Sequence, residues 1–196
     1  LGLVRQHFFE RAEEEMCRHT EEVVERLRRA GAEVPEITLP NSFEAINETH
    51  DAIVGAEAAA YHKDMFAQHK DGYRPAIRQL VERGMTIPAT QYALALEARL
   101  QQRADMEPLL QTVDALITPG TPGAAPRSLD TTGSAVMQRP WSVIGLPAIS
   151  LPTGLNKEGL PLAIQLVGPP RQEDRLMSVA LWCERTLGVR LRPPLA

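Results

Sequence analysis

The sequence predicts an α/β fold, a mixed β-sheet flanked by helices, and two observations carry that expectation. Up to residue 118 the apolar residues recur at helical spacing, whereas beyond it short apolar runs of strand length are bounded by Gly and Pro. The punctuation changes at the same place: five prolines precede Pro119 and the other eleven fall from Pro119 onward. The chain is therefore expected to be one region, 1–196, mostly helical over 1–118 and rich in strand and loop over 119–196.

Leu1-Gly2-Leu3-Val4 reads as the middle of a buried strand that further chain should cover, and Leu1 is no initiator methionine, so the chain is expected to be a fragment. Met16, Val23, Val24 and Leu27 then mark one face of a helix from Ala12 to Ala30, with Glu13 to Glu15 near its positive end and Gly31 as its stop. Val34, Ile37 and Leu39 suit a short strand closed by Pro40, with Pro35 confining it to an edge. Asn41 and Glu44 resemble a capping box ahead of a helix through Ile46, Ile53, Val54, Tyr61 and Met65, which Asp71-Gly72 closes as a turn. Pro75 fits the first turn of a short helix ending near Gly84. Pro88 fits the start of a longer helix that Pro108 should interrupt.

Asp114 to Pro119 has the form of a buried strand feeding a loop, and the long Gly/Pro/Ser/Thr-rich stretch from Pro119 to Pro140 is the best candidate binding loop. Leu146–Leu151 and Leu160–Val167 pair most simply as a hairpin through Asn156-Lys157-Glu158-Gly159. Leu176, Val179, Ala180, Cys183 and Leu187 mark a terminal helix, with Glu173 and Asp174 at its start, Arg185 in its last turn and Gly188 beyond.

Composition excludes several functions. A formal net charge of -4 offers no basic field for a nucleic-acid backbone, so no nucleic acid is expected as a partner. No apolar stretch reaches membrane-spanning length, so the chain is expected to be soluble, cytoplasmic and without a membrane partner. Cys17 and Cys183 lack metal-type spacing and read as free thiols in helical patterns. His7, His19, His50, His62 and His69 form no helical zinc pair, and neither phosphate-loop nor dinucleotide glycine patterns occur, so no metal and no cofactor are expected. Gly-x-Ser-x-Gly is also absent, and the glutamates of the first helix, interspersed with arginines, read as a solvated face. These features alone give a soluble α/β domain with one functional-looking loop.

Longer blocks go further. Asp114-Ala115-Leu116-Ile117-Thr118-Pro119, Thr131-Thr132-Gly133, the run Pro140-Trp141-Ser142-Val143-Ile144-Gly145-Leu146-Pro147-Ala148-Ile149-Ser150-Leu151-Pro152-Thr153-Gly154, and Gly159-Leu160-Pro161-Leu162-Ala163-Ile164-Gln165-Leu166-Val167-Gly168 closely resemble the amidase signature family. They follow the order of that family's C-terminal third. Upstream, Leu27 to Pro40, then Ala56-Glu57-Ala58 with His62, then Tyr92 with Arg99 resemble its preceding segments.

The resemblance implies the C-terminal part of the amidase signature fold and hydrolysis of a small-molecule amide, at its carboxamide C–N bond, to acid and ammonia. It also implies a Ser-Ser-Lys triad without metal or organic cofactor. No Gly-Gly-Ser-Ser-Gly stretch occurs, and Lys63, Lys70 and Lys157 lie in segments unlike that of the catalytic lysine, so no catalytic residue is assigned. The N-terminal catalytic half is thus an expected partner, and this chain alone is expected to be inactive.

Trp141, with Gln138, Thr131 and Thr132 as weaker candidates, is the expected substrate-binding set, although for Trp141 filling the core beneath the loop weighs somewhat more than lining the pocket. Gly145, Pro147, Gly154 and Gln165 match family positions and are expected to act through their backbone. Two alternatives stand beside the amidase. One is the amide-hydrolysing component of a transfer-RNA-dependent glutamine amidotransferase, set lower because Ser134-Ala135-Val136-Met137-Gln138 lacks the Asp usual there. The other is a shortened, non-catalytic binding module. Uncovered apolar surface is expected to make the isolated chain a homo-oligomer.

Overall fold

The computed structural model describes residues 1–191. In chain order the elements are β1 (Gly2–Leu3), α1 (Glu14–Arg29), α2 (Ile46–His69), α3 (Pro75–Gly84), α4 (Ala89–Gln111), β2 (Leu116–Pro119), α5 (Arg139–Ile144), β3 (Ala148–Leu155), β4 (Pro161–Val167) and α6 (Glu173–Leu187). They fall into two compact units: Leu1–Pro40 with the chain from Asp105 onward, and the intervening Asn41–Ala104.

The first unit is built on a four-stranded sheet ordered β1-β2-β4-β3. β1 runs parallel to β2, whereas β2–β4 and β3–β4 are antiparallel. The predicted hairpin is formed as β3 and β4. The Asn156 side-chain oxygen accepts from the amides of Glu158 (3.0 Å) and Leu160 (2.8 Å) to fold its turn, and Gly159 takes the positive φ of +80° that the turn requires. One face of the sheet carries Leu3, Ile117, Leu151, Ile164 and Leu166, which pack with Val23, Val24 and Leu27 of α1 and Leu176, Ala180, Cys183 and Leu187 of α6. Each such aliphatic side chain contributes roughly 1.5–3 kcal/mol by leaving water. A polar tie crosses the same interface, where a His19 ring nitrogen on α1 lies 2.8 Å from the Thr153 hydroxyl on β3.

Cys17 and Cys183 are both free thiols, and burial pushes the pKa of Cys183 up to about 11.

Val34–Leu39 does not become the expected strand. Only Glu36 bridges Leu3, through the bonds Leu3 N–H to Pro35 carbonyl (2.9 Å) and Ile37 N–H to Leu3 carbonyl (2.8 Å). Pro35 supplies a carbonyl but no amide, so the ladder stops after one bridge.

In the second unit α2 packs against α3. Gly55 and Gly84 bring the helices together, and a Cβ built on Gly84 would collide with the Gly55 carbonyl. Asn41–Ala45 forms a 3-10 turn rather than a capping box, and no side chain caps α2. α3 runs from Pro75 to Gly84, the predicted bounds.

Pro108 does not interrupt α4, which runs on to Gln111. It sits in the last turn, where its missing N–H removes one helical bond, that to the Ala104 carbonyl, and the helix carries this single loss. No helix among the described residues is long and apolar enough to cross a membrane.

Candidate functional site

The second face of the sheet positions the candidate site. Strand register places Ser150 on β3 beside Gln165 on β4, and Gln165 beside Thr118 on β2, so one polar row crosses three strands. The next row is apolar, Ala148 beside Val167 beside Leu116. Gln165 is only 3% exposed. Its side-chain amide donates to the Met137 carbonyl at 3.1 Å and, more weakly, to the Thr118 hydroxyl at 3.4 Å. An amide buried in an apolar sheet demands such partners, and here it ties the end of the long loop to the middle of the sheet.

The loop is held at both ends. The Gln138 side chain donates to the Gly120 carbonyl, and the Gly120 amide donates to the Ala163 carbonyl at 2.9 Å. The Glu13 amide donates to the Pro122 carbonyl at 2.7 Å. Between these anchors the loop satisfies itself locally through its hydroxyls, with Gly133 N–H donating to Thr131 Oγ1 (3.0 Å) and Asp130 N–H to Ser128 Oγ (3.1 Å). Such short-range bonds are why a Ser/Thr-rich stretch orders without a strand or helix of its own.

After the loop, Pro140 sits in the first turn of α5, and Gly145, at φ +68°, ends that helix in the left-handed conformation. α5 carries Trp141, whose ring stacks on Phe8 with centroids 5.1 Å apart and planes 9° apart. His7 lies edge-on to Phe8 at 5.0 Å, and burial, helped by Arg11, lowers its pKa to about 4.

Gln138, Trp141, Ser142, Leu146, Ala148, Ser150 and Gln165 enclose a cleft of about 330 Å³. Its lining combines a ring, two aliphatic side chains, two hydroxyls and two amides, and carries no titratable acid or base among the described residues. Such a surface can seat an uncharged polar group by hydrogen bonding. It cannot supply the proton acceptor that a hydroxyl nucleophile needs. No group of three His, Cys, Asp or Glu among the described residues could hold a metal ion.

Of the four residues expected to contact substrate, the structure brings Gln138 and Trp141 together at this cleft. Trp141 is 1% exposed and stacks on Phe8, so its ring fills the core beside the cleft. Thr131 and Thr132 lie on the exposed loop and do not line it. Ser142, Leu146, Ala148 and Ser150 are additions that sequence reasoning missed. Gln165 is a correction, because it acts through its side chain as well as its backbone. The signal was available: Thr118, Ser150 and Gln165 are single polar residues inside apolar strand runs.

The chain matches the family model described as Amidase over residues 1–177. It is 32% identical to an amidase of Pseudomonas putida over 207 residues, covering 98% of this chain and 44% of that protein. It is 28% identical to a polypeptide of the glutamyl-tRNA(Gln) amidotransferase of Ruegeria pomeroyi, covering 98% of this chain and 46% of that one. Among solved structures, an amidase crystal structure superposes with a TM-score of 0.87 at 26% identity, covering 94% of this chain and 45% of that one. The chain thus spans less than half the length of these relatives.

Proposed function

Because the chain belongs to the Amidase family, we propose that it forms one wall of the substrate cleft of an enzyme that hydrolyses a carboxamide C–N bond to a carboxylic acid and ammonia. The observation that carries this reading is the cleft between α5 and β3–β4, polar in hydroxyls and amides yet without an acid or base. Gln138 and Ser150 offer hydrogen bonds to an amide, and Leu146 and Ala148 offer apolar wall to its acyl group. The nucleophile and the groups that activate it come from a catalytic half outside these 196 residues, and the isolated chain binds without turning over.

The test is ammonia release from a panel of aliphatic and aromatic carboxamides, with glutamine included. It compares the 196-residue chain with the longest open reading frame that contains it. The longer protein is expected to release ammonia and the 196-residue chain to stay at background. In the longer protein, Gln138→Ala is expected to raise KM more than it lowers kcat. Turnover by the 196-residue chain would overturn the division of labour, and hydrolysis of glutamine alone would favour the amidotransferase instead.

A further inference from the structure

Two glutamine side chains line the cleft between α5 and the sheet, and the partners of their nitrogens decide what they present to it. Gln165 Nε2 donates to the Met137 carbonyl at 3.1 Å and to Thr118 Oγ1 at 3.4 Å, which engages both its hydrogens. Chemistry fixes this orientation. A carbonyl can only accept, and the Thr118 hydroxyl gives its own proton to the Pro119 carbonyl at 3.2 Å, so a turned amide would set oxygen against oxygen at both contacts. Gln165 Oε1 is left without a partner among the described residues, on a side chain only 3% exposed. Gln138 repeats the arrangement. Its nitrogen donates to the Gly120 carbonyl, whose residue is itself pinned to β4 by the 2.9 Å bond from Gly120 N–H to the Ala163 carbonyl, and its oxygen remains for the cleft.

An acceptor that is nearly buried and unpaired is costly, so the cleft calls for a donor. Ser150 stands directly beside Gln165 in the β3–β4 register, with its side chain on the same face and its hydroxyl able to rotate and donate. Leu146 and Ala148 supply apolar lining. No carboxylate lines the cleft among the described residues, so the donor that fits is uncharged: an ammonium ion would give up its hydration without a counter-charge.

We propose that Gln165 Oε1 and Gln138 Oε1 accept the two N–H bonds of an unsubstituted carboxamide while the Ser150 hydroxyl donates to its carbonyl oxygen, which makes this wall selective for primary amides over N-alkylated ones. The proposal rests on the reading of this cleft as a substrate cleft and narrows that reading to one class of amide. Each N-alkyl group removes one donor and leaves one glutamine oxygen unpaired.

The experiment titrates benzamide, N-methylbenzamide, N,N-dimethylbenzamide and benzylammonium into the longest open reading frame that contains this chain. Ligand-observed NMR reads each dissociation constant whether or not the amide is turned over, and hydrolysis is recorded alongside. Benzamide is expected to bind roughly tenfold or more tighter than its N-methyl derivative, tighter again than the N,N-dimethyl one, and tighter than benzylammonium. A methyl group also adds bulk, and Gln138→Leu and Gln165→Leu separate the two effects. Leucine is about the size of glutamine, so a steric penalty would persist in these variants, whereas a hydrogen-bond preference should shrink to about threefold or less. The readout is the ratio within one variant, which a general loss of affinity from a loosened loop does not change.

A parent protein that binds the three amides equally, or binds none of them, overturns the proposal without recourse to a variant. So does a preference undiminished in both leucine variants, or benzylammonium bound more tightly than benzamide. The two readings fail separately. Selectivity for N–H without any hydrolysis would count against the enzyme reading alone, whereas hydrolysis of benzamide and N,N-dimethylbenzamide with equal kcat/KM would count against this inference alone.

Discussion

Gln165 joins the loop to the sheet, and its replacement tests how that junction works. Leucine at this position keeps the approximate volume but removes both donated bonds. The 3.4 Å contact to Thr118 is long, and that hydroxyl retains its own bond to the Pro119 carbonyl at 3.2 Å, so little is lost there. The Met137 carbonyl belongs to a fully buried residue and loses a 3.1 Å partner. Leaving one buried carbonyl unpaired costs about 1–3 kcal/mol, offset in part by the added apolar contact, so Gln165→Leu should cost about 2 kcal/mol. With a urea m-value of roughly 2 kcal/mol/M for a chain of this size, the unfolding midpoint should fall by about 1 M.

Gln165→Glu separates hydrogen bonding from shape. It is isosteric, but above its pKa it places a buried carboxylate against the Met137 carbonyl, acceptor facing acceptor, and should cost more than leucine at pH 8. Protonation restores a donor, so the gap between Q165E and the parent should narrow towards pH 5. Urea unfolding followed by circular dichroism at the two pH values reads both effects. A Q165E midpoint equal to that of the parent at pH 8 would refute the assignment of the side-chain amide as the tie.

The remaining predictions rest on separate features. Gly84→Ala should destabilise by about 1–3 kcal/mol through its collision with the Gly55 carbonyl. The exposed Gly72, with nothing within 4 Å, should accept alanine without loss, and thermal unfolding of the two variants compares them. His7 has its pKa lowered from 6.5 to about 4 in the folded chain by burial, so as pH falls the unfolded chain takes up the proton first. Stability should therefore decline from about pH 6.5 and level off near 4, by at most about 1.4 kcal/mol per pH unit. His7→Asn, which tolerates the positive φ of 68° at this position, should flatten that part of the pH–stability profile in urea titrations.

What the sequence revealed and concealed divides along physical lines. α1, α3, α6 and the β3–β4 hairpin were legible because one periodicity and one boundary signal coincide in each: Gly31 after α1, Pro75 opening α3, Gly188 after α6 and Asn156 to Gly159 in the hairpin. Val34–Leu39 misled because apolar alternation reports burial, whereas a ladder also needs an amide at every second residue, which Pro35 lacks. Pro108 misled in the opposite sense, since a proline removes only its own bond to the carbonyl four residues earlier, and the bonds of the turns before it hold α4 together. The site was half legible. Gln138 and Trp141 adjoin the loop that composition singled out, but Ser142, Ser150 and Gln165 meet only through cross-strand register and the return of α5, information carried by pairings between distant segments.

That register also explains why the cleft lies where it does. Along β3 and β4 the side chains alternate between two faces that meet different demands. Leu151, Ile164 and Leu166 must satisfy α1 and α6, so that face is uniformly apolar. Ser150 and Gln165, one residue out of phase, face α5, a helix of only six residues that covers part of the sheet and leaves Ala148 and Ser150 exposed. A short cover over a polar row leaves a cleft. The row must itself be neutral, since a buried charge beside Trp141 would lack a compensating partner among the lining residues. A wall of this kind discriminates by shape and hydrogen bonding. The neutral lining of the cleft thus follows from the packing constraint on two strands.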